Sequence, residues 1–436
     1  MNDSKINRRD FIKAAISSGV LIASGNILSG CESKPITSIN ESNKDNKIPD
    51  LDIDYLRQIV TNEPATSRCI MFQSDDLLIK PTIEVREVTG ENFSMSFDTK
   101  ECFFTDDEHV NNQYSAQVEG LVVGKDYEYR IVDGDHCSEW HELKTNDGSH
   151  FKMLLFPDSQ CADYSVWENV AKNAYARNKD ADFFVNIGDL VDNGEDWTQW
   201  RSWFHGAGSF LDKIFCVPIV GNHECYNRQW KVRPPVAYLN YFELPKNDSK
   251  EFERHYYSFD FGDVHFAILD SQWVELGDIG GEAADLIREQ KEWLRRDISS
   301  SPKKWKIVLI HKDVLQYRIK GRPERFEGFS DVGIEFMPLF DELGIDIVFT
   351  GHLHTYRDRG HIYNFEHNPK GPLYILTGIA GDVRYPGIWI DHALDVVTAP
   401  QPEVDNYLTM EVNGDTITVK CFLPDGMEID SITVEK

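Results

Sequence analysis

The stretch "VFTGHLHTY", Val348 to Tyr356, decides how the chain is read. Val348 and Phe349 close an apolar, β-rich run. Gly351 permits a backbone turn that a side chain would hinder. His352 and His354 follow, one residue apart. A lone surface histidine carries little meaning, but a pair at the mouth of a strand is a candidate for metal ligation or proton transfer. What the other strands end in chooses between the two.

From about residue 151 the chain alternates β and α patterns. "KMLLF", "DFFVNIGD", "IFCVPIVGN", "WKIVLIH", "IDIVFTGH" and "LYILTG" read as strands, and "YSVWENVAKNAYARN" as a helix. "HYYSFDFGDVHFAILDS" reads as a hairpin turning at Gly262 and Asp263. "AADLIREQKEWLRRDI" reads as an amphipathic helix with Leu286, Ile287, Trp293, Leu294 and Ile298 inward. The pattern is α/β of the open-sheet type. Five of the strands are followed at once by oxygen or imidazole ligands: Asp158 with Gln160, Asp189, Asn222 with His223, His311, and His352 with His354. Ligands gather outside the carboxyl ends of strands in such sheets, so these residues can converge although they lie far apart in sequence. Asp, Asn, Gln and His together suit a transition metal in a mixed nitrogen and oxygen site. There are too many ligands for one ion; a carboxylate such as Asp189 can bridge two, with His352 on one and His354 on the other.

In this order, "DSQ", "GDLVDNG", "GNHE", "IHK" and "GHLH" resemble the motifs of the calcineurin-like metallophosphoesterases, across about residues 151 to 400. "GNHE", the central hairpin and Tyr356 after the last histidine look closer to the purple acid phosphatases. The resemblance implies a four-layer α/β (α+β) sandwich, its central sheets flanked by helices, behind an all-β fibronectin-like sandwich. It implies one metal on Asp158, Asp189 and His354, with Gln160 as a further candidate, and a second on Asp189, Asn222, His311 and His352. His223 would face the leaving oxygen as general acid. The activity implied is hydrolysis of small-molecule phosphate esters, foremost monoesters, by a hydroxide shared between two divalent or mixed-valence ions (Mn, Fe or Zn). A phosphodiesterase, a nucleotide or polyphosphate hydrolase, or a non-catalytic binding lipoprotein are the alternatives.

Two departures bear on the metal. The wider superfamily has Asp-x-His at the first motif, where this chain has Gln160. Purple acid phosphatases carry a tyrosine three residues after the bridging aspartate, where this chain has Asp192. The tyrosinate that colours their iron is therefore missing. Candidates for substrate contact are Tyr226 and Arg228 past "GNHE", Arg322 among the basic residues Arg318, Lys320 and Arg325 after His311, and Tyr356. Trp197, Trp200 and Trp203 read as a core-facing helix stripe, and Cys161 and Cys225 as packing residues.

Residues 51–148 alternate apolar and polar residues in short runs such as "SRCIMF", "TIEVREV" and "YEYRIV", the pattern of an all-β module. "GLVVGKDYEYRI", with Tyr127 and Tyr129, resembles the tyrosine-corner region of a fibronectin-type sandwich. The catalytic domain takes residues 151–436, ending in the β alternation of "YLTMEVNGDTITVKCFLPDG". Residues 1–31 read as an export signal: "NRRDFIK" resembles a twin-arginine motif, and "LSGC" a lipoprotein box with lipid on Cys31. Residues 32–50 are polar and lack aromatics, as a flexible tether does. The expected location is periplasmic or cell-surface, with membrane contact only through that lipid. With 45 basic against 73 acidic residues, a net charge of -28 and no basic tract, nucleic acid is excluded as a partner. The remaining cysteines have irregular spacing and no CxxC, so neither a disulfide framework nor a zinc ribbon is expected.

Overall fold

The structure is a computed structural model that describes residues 48–89, 94–280, 283–399 and 403–436. The twin-arginine and Cys31 readings lie outside the described residues, as does most of the tether. None of the described helices is long and apolar enough to cross a membrane.

Two sheets packed face to face carry the C-terminal half. In the first, His150–Phe156, Phe183–Asn186 and Phe215–Pro218 run parallel, and Tyr407–Asn413, Thr416–Phe422 and Glu428–Glu435 extend the edge antiparallel. The second is built around Val264–Leu269, Trp305–Ile310, Ile347–Thr350 and Leu373–Thr377, all parallel, with Tyr257–Phe261 and Tyr356–Tyr363 antiparallel at its flanks. These strands are apolar nearly throughout because both of their faces are covered. Phenylalanines fill the space between the sheets: Phe183 meets Phe259 at 5.9 Å and Phe266 at 5.7 Å between ring centroids. Helices cover the outer faces. Ser165–Arg177 and Trp197–Ala207 bury Trp167, Trp200 and Trp203 against the first sheet. Ala283–Ser300 and Asp331–Leu343 pack Leu286, Leu294, Ile298, Phe336 and Phe340 against the second. The layering is helix, sheet, sheet, helix, as expected. Ile287 is only partly buried, and Gln290 takes a buried place on the same helix.

The N-terminal strands do not form a free-standing module. Asp54–Ile59 adds to the first sheet beside Phe215–Pro218, pairing Ile59 with Cys216, and Arg68–Gln73, His109–Val118 and Lys100–Asp106 continue it. One ten-stranded sheet thus crosses the division expected near residue 148. Side chains alternate across a strand, so Arg68–Gln73 serves two cores. Cys69 and Met71 face the catalytic core, whereas Ile70 and Phe72 face a second sheet that includes Thr82–Glu87 and Asp126–Asp133. The tyrosine-corner reading has a local counterpart in the backbone N–H of Val122, which donates to the Tyr127 hydroxyl at 3.0 Å. Among the described residues, Cys69, Cys102, Cys161, Cys216, Cys225 and Cys421 form no disulfide.

Candidate metal centre

The candidate ligands converge at the carboxyl ends of both sheets. Asp158, Gln160, Asp189, Asn222 and His223 follow strands of the first; His311, His352 and His354 follow strands of the second. Ligand atoms of Asp189, His311 and His352 lie within 4.8 Å of one another, as do those of Asp158, Asp189 and His354. Asp189 belongs to both clusters. Its Oδ2 is 3.2 Å from His311 Nε2, which is also 3.2 Å from Asn222 Oδ1. His354 Nε2 is 3.2 Å from Asp158 Oδ2.

Backbone geometry brings these groups together. Asp189, His352 and His354 all adopt positive φ, at 49°, 77° and 53°, in the left-handed region that residues other than glycine seldom enter. Such strain persists where the surroundings over-determine it, and it clusters at functional sites. Gly351 acts differently from the turn expected of it. Its φ is not positive, but a Cβ there would stand 2.6 Å from Asp158 Oδ1. A Cβ on Gly221 would stand 2.2 Å from Asp189 Oδ1. Both glycines let one ligand loop approach a carboxylate from another.

The imidazoles are oriented from behind. His311 Nδ1 donates to the Ile187 carbonyl at 3.0 Å, and His354 Nδ1 to the Val383 carbonyl. Each bond leaves Nε2 facing the centre, the arrangement typical of metal-bound histidine. Burial works against ionisation of Asp189, but positive charge on His311 and His223 outweighs it and holds the carboxyl well below its usual range. Burial opposes protonation of His311 too; Asp189 prevails and raises it to about 9. Burial and the charge of His311 push His352 well down.

Gln160 supplies the test of fit for an ion. Its side chain is fully buried, and neither Oε1 nor Nε2 has a hydrogen-bond partner. An unpaired buried amide costs about 1–3 kcal/mol. A cation taking Oε1 as a ligand removes that cost for the oxygen. The donor set of carboxylates, amide oxygens and imidazoles therefore suits a pair of transition-metal ions.

His223 stands at the rim, partly exposed. Its Nδ1 donates to the Asp192 carbonyl at 2.7 Å, its backbone N–H donates to Asp189 Oδ1 at 2.8 Å, and its Nε2 is 4.0 Å from Asp189 Oδ2. Burial pulls its pKa down, but Asp189 and the bond to Asp192 raise it above the ordinary value.

The other sequence candidates scatter. Tyr226 lies edge-on to His223, ring centroids 5.6 Å apart. Arg228 pairs with Asp107 at 2.8 Å and approaches Asp196. Arg322 is exposed and does not line the cleft of about 240 Å³ beside His352, whereas Arg325, Lys312 and Gln316 do. Tyr356 is buried, and its hydroxyl donates to Asp430 at 2.8 Å, so it ties the second sheet to the last strand of the first. Cys161 and Cys225 are buried packing residues, and burial pushes the Cys161 thiol up to about 12.

Three residues escaped sequence reasoning. Glu224, inside the quoted "GNHE", is buried and accepts the backbone N–H groups of Gly221 at 2.7 Å, Leu190 at 2.8 Å, Asp189 at 3.0 Å and Val191 at 3.3 Å. It ties two ligand loops together; its signal was its place in the motif. Burial and the charge of Asp189 raise it to about 7. Tyr385 stacks on His354 at 5.0 Å, and Trp230 meets His223 edge-on at 5.8 Å. Neither had a sequence signal.

A sequence profile of the family described as "Calcineurin-like phosphoesterase" matches residues 135–356, just over half of the chain. The chain belongs to the calcineurin-like phosphoesterases. Within that family it is similar to purple acid phosphatase 15 of Arabidopsis thaliana, with 30% identity over 47% of this chain and 36% of that protein. It spans little more than a third of the length of the curated relatives that it matches first. Its fold is like that of the purple acid phosphatase PPD1 from yellow lupin (Lupinus luteus) seeds, with TM-score 0.71, 16% identity, and 88% of this chain and 74% of that one covered. It is also like that of PhoD, with TM-score 0.59, 12% identity, and 89% and 90% covered. The four layers seen here are thus those of a calcineurin-like phosphoesterase with purple acid phosphatase relatives.

Proposed function

We propose that this chain is a binuclear metal-dependent phosphoesterase that hydrolyses phosphate monoesters of small molecules. The observation that carries the reading is the sharing of Asp189 between two ligand clusters. The buried, unpaired amide of Gln160 supports it, on a loop whose backbone N–H bonds the Asp189 carbonyl at 3.0 Å. Asp158, Asp189, His354 and Gln160 would hold one ion, and Asp189, Asn222, His311 and His352 the other. When bound, such a pair supplies Lewis-acid polarisation of the phosphoryl oxygens and a nucleophilic water at neutral pH.

The chain's own residues then have distinct tasks. The carbonyls of Ile187 and Val383 fix the tautomers of His311 and His354, so that both present Nε2 inward. Glu224 holds the loops of Asp189 and Asn222 in register through four backbone N–H groups. His223 presents its proton-donating Nε2 to the centre, 4.0 Å from Asp189 Oδ2, because Nδ1 is committed to Asp192. It protonates the leaving oxygen as the ester bond breaks, a role worth roughly 10²–10⁴ in rate. Its raised pKa suits a proton donor. The remaining lone pairs of Asp189 and Asp158 are engaged by the backbone N–H groups of His223 and His352, which aim the carboxylates inward.

The reading extends to the rest of the chain. The N-terminal sandwich is a fibronectin-type element that buttresses the catalytic sheet, and "NRRDFIK" and "LSGC" direct twin-arginine export and lipid anchoring at Cys31. Turnover of p-nitrophenyl phosphate against bis(p-nitrophenyl) phosphate, after chelation and reloading with Mn²⁺, Fe²⁺ or Zn²⁺, tests the function. Monoester turnover that returns with metal is expected. Inertness with every ion, or preference for the diester, would overturn the reading.

A further inference from the structure

The loop after "GNHE" breaks a local rule. Residues 226–232 form a tight turn in which Tyr226 bridges to Val232, Asn227 N–H bonds the Lys231 carbonyl at 2.9 Å, and Trp230 N–H bonds the Asn227 carbonyl at 2.8 Å. The Asn227 side-chain oxygen accepts the N–H groups of Gln229 at 3.0 Å and Lys231 at 2.9 Å. Trp230 occupies the left-handed position, with φ at 58°. Turn chemistry favours Gly, Asn or Asp there, since the conformation strains a bulky side chain. The indole gains little burial in return, for Trp230 is 57% exposed. A residue that is both strained and exposed is selected for something outside the fold.

The loop is also held rigidly. Arg233 makes two hydrogen bonds to Asp106, at 2.7 and 2.6 Å, and Arg228 bonds Asp107 at 2.8 Å. Both aspartates lie at the turn between Lys100–Asp106 and His109–Val118, so the N-terminal sandwich clamps a loop of the catalytic half. These ion pairs also neutralise the loop's arginines. What the loop offers beside His223 is an aromatic face, that of Trp230 with Tyr226 behind it at 6.1 Å.

We propose that Trp230 is a stacking wall for an aromatic ring in the leaving group of the substrate, as in a nucleoside monophosphate or an aryl phosphate. This rests on the phosphoesterase reading, in which His223 marks the side of the leaving oxygen. A group departing past His223 meets the indole next. Stacking of a nucleobase on an aromatic side chain is worth about 1–3 kcal/mol, roughly 5- to 150-fold.

Adenosine 5′-monophosphate and ribose 5-phosphate share the same leaving alcohol and differ only in the ring, so the ratio of their kcat/KM values isolates the stack. In the metal-loaded protein the ratio should be about 5–150, through KM. In Trp230→Ala it should fall to within about threefold of unity, and Trp230→Phe should restore much of it. Phenyl phosphate forms a second arm. A Trp230→Ala loss confined to it places the ring directly on the ester oxygen, and a loss confined to the nucleotide places the ring one sugar away. A Trp230→Ala variant that lowers neither the nucleotide preference nor phenyl phosphate turnover overturns the proposal. Should no ester turn over, the phosphoesterase reading fails by itself. Calorimetric binding of adenosine 5′-monophosphate to the wild type and to Trp230→Ala then reads the stack, and equal affinity overturns it.

Discussion

The Nδ1 of His223 donates to the backbone carbonyl of Asp192 at 2.7 Å. The contact uses the main chain of the residue that stands where purple acid phosphatases have their metal-bound tyrosine. Position 192 thus orients His223, the proposed proton donor. Its carboxylate, 3.4 Å from the same nitrogen, adds charge.

Replacing His223 by asparagine should leave both metals bound and lower kcat on alkyl phosphates by roughly 10²–10⁴. The loss should shrink for p-nitrophenyl phosphate, whose leaving group needs no proton. Equal losses on the two esters, or loss of metal from the variant, would remove His223 from the role of general acid.

Metal stoichiometry follows from the two clusters that share Asp189. His352→Ala and His354→Ala should each lose mainly one equivalent, from different sites, and Asp189→Asn should weaken both. Gln160→Leu should lower affinity at the site of Asp158 and His354 while improving stability without metal, because an unpaired buried amide is removed. Elemental analysis by mass spectrometry, anomalous diffraction and thermal melts of the metal-free proteins check these outcomes. A single ion in the wild type under metal excess would defeat the binuclear centre.

Colour tests the ion. With Asp192 in the tyrosine's place and a neutral amide at Gln160, the protein should prefer Mn²⁺ or Fe²⁺ and lack a strong visible band after iron loading and oxidation. Tyr356, two residues after His354, is turned away to Asp430. Tyr385, stacked on His354, is the better placed phenol. A strong band abolished by Tyr385→Phe would show that a tyrosinate has been recruited from another loop.

Stability should depend on pH through His265, which is remote in sequence from the metal ligands. Its Nδ1 is 2.7 Å from Asp260 and its Nε2 2.8 Å from Asp297. Ser258 also bonds Asp297, and Lys303 lies 3.9 Å from Asp260. Burial opposes protonation, but the two aspartates prevail and raise the imidazole to about 9. A folded pKa above the unfolded value, about 6.5, means that the stabilisation is complete below about pH 6.5. It is lost as pH rises through about 9. Its size is at most about 3 kcal/mol. Melting temperatures of the metal-free protein should fall between pH 7 and 10, and His265→Gln should flatten that slope.

The candidate ligand set was legible because each member is a local fact. A strand is recognised by its own alternation, and Asp158, Asp189, Asn222, His311, His352 and His354 each follow a strand within a few residues. The four layers were legible through the same periodicities and the resemblance that they support. What could not be read were relations made by packing between distant segments. Ile59 pairs with Cys216, so the N-terminal strands share a sheet with the catalytic half, a junction that no local pattern encodes. Glu224 bonds a loop more than thirty residues upstream. Tyr356 turns to Asp430 although its position beside His354 suggested the substrate. Gly351 is needed for the approach of Asp158, nearly two hundred residues earlier in the chain. Trp230 and Tyr385 reach the site only because their loops are held by partners elsewhere in the fold, Asp106 and Asp107 for the first. Residue type and period are carried by short stretches of chain, whereas the direction of a side chain on a loop is set by whichever remote surface packs against that loop.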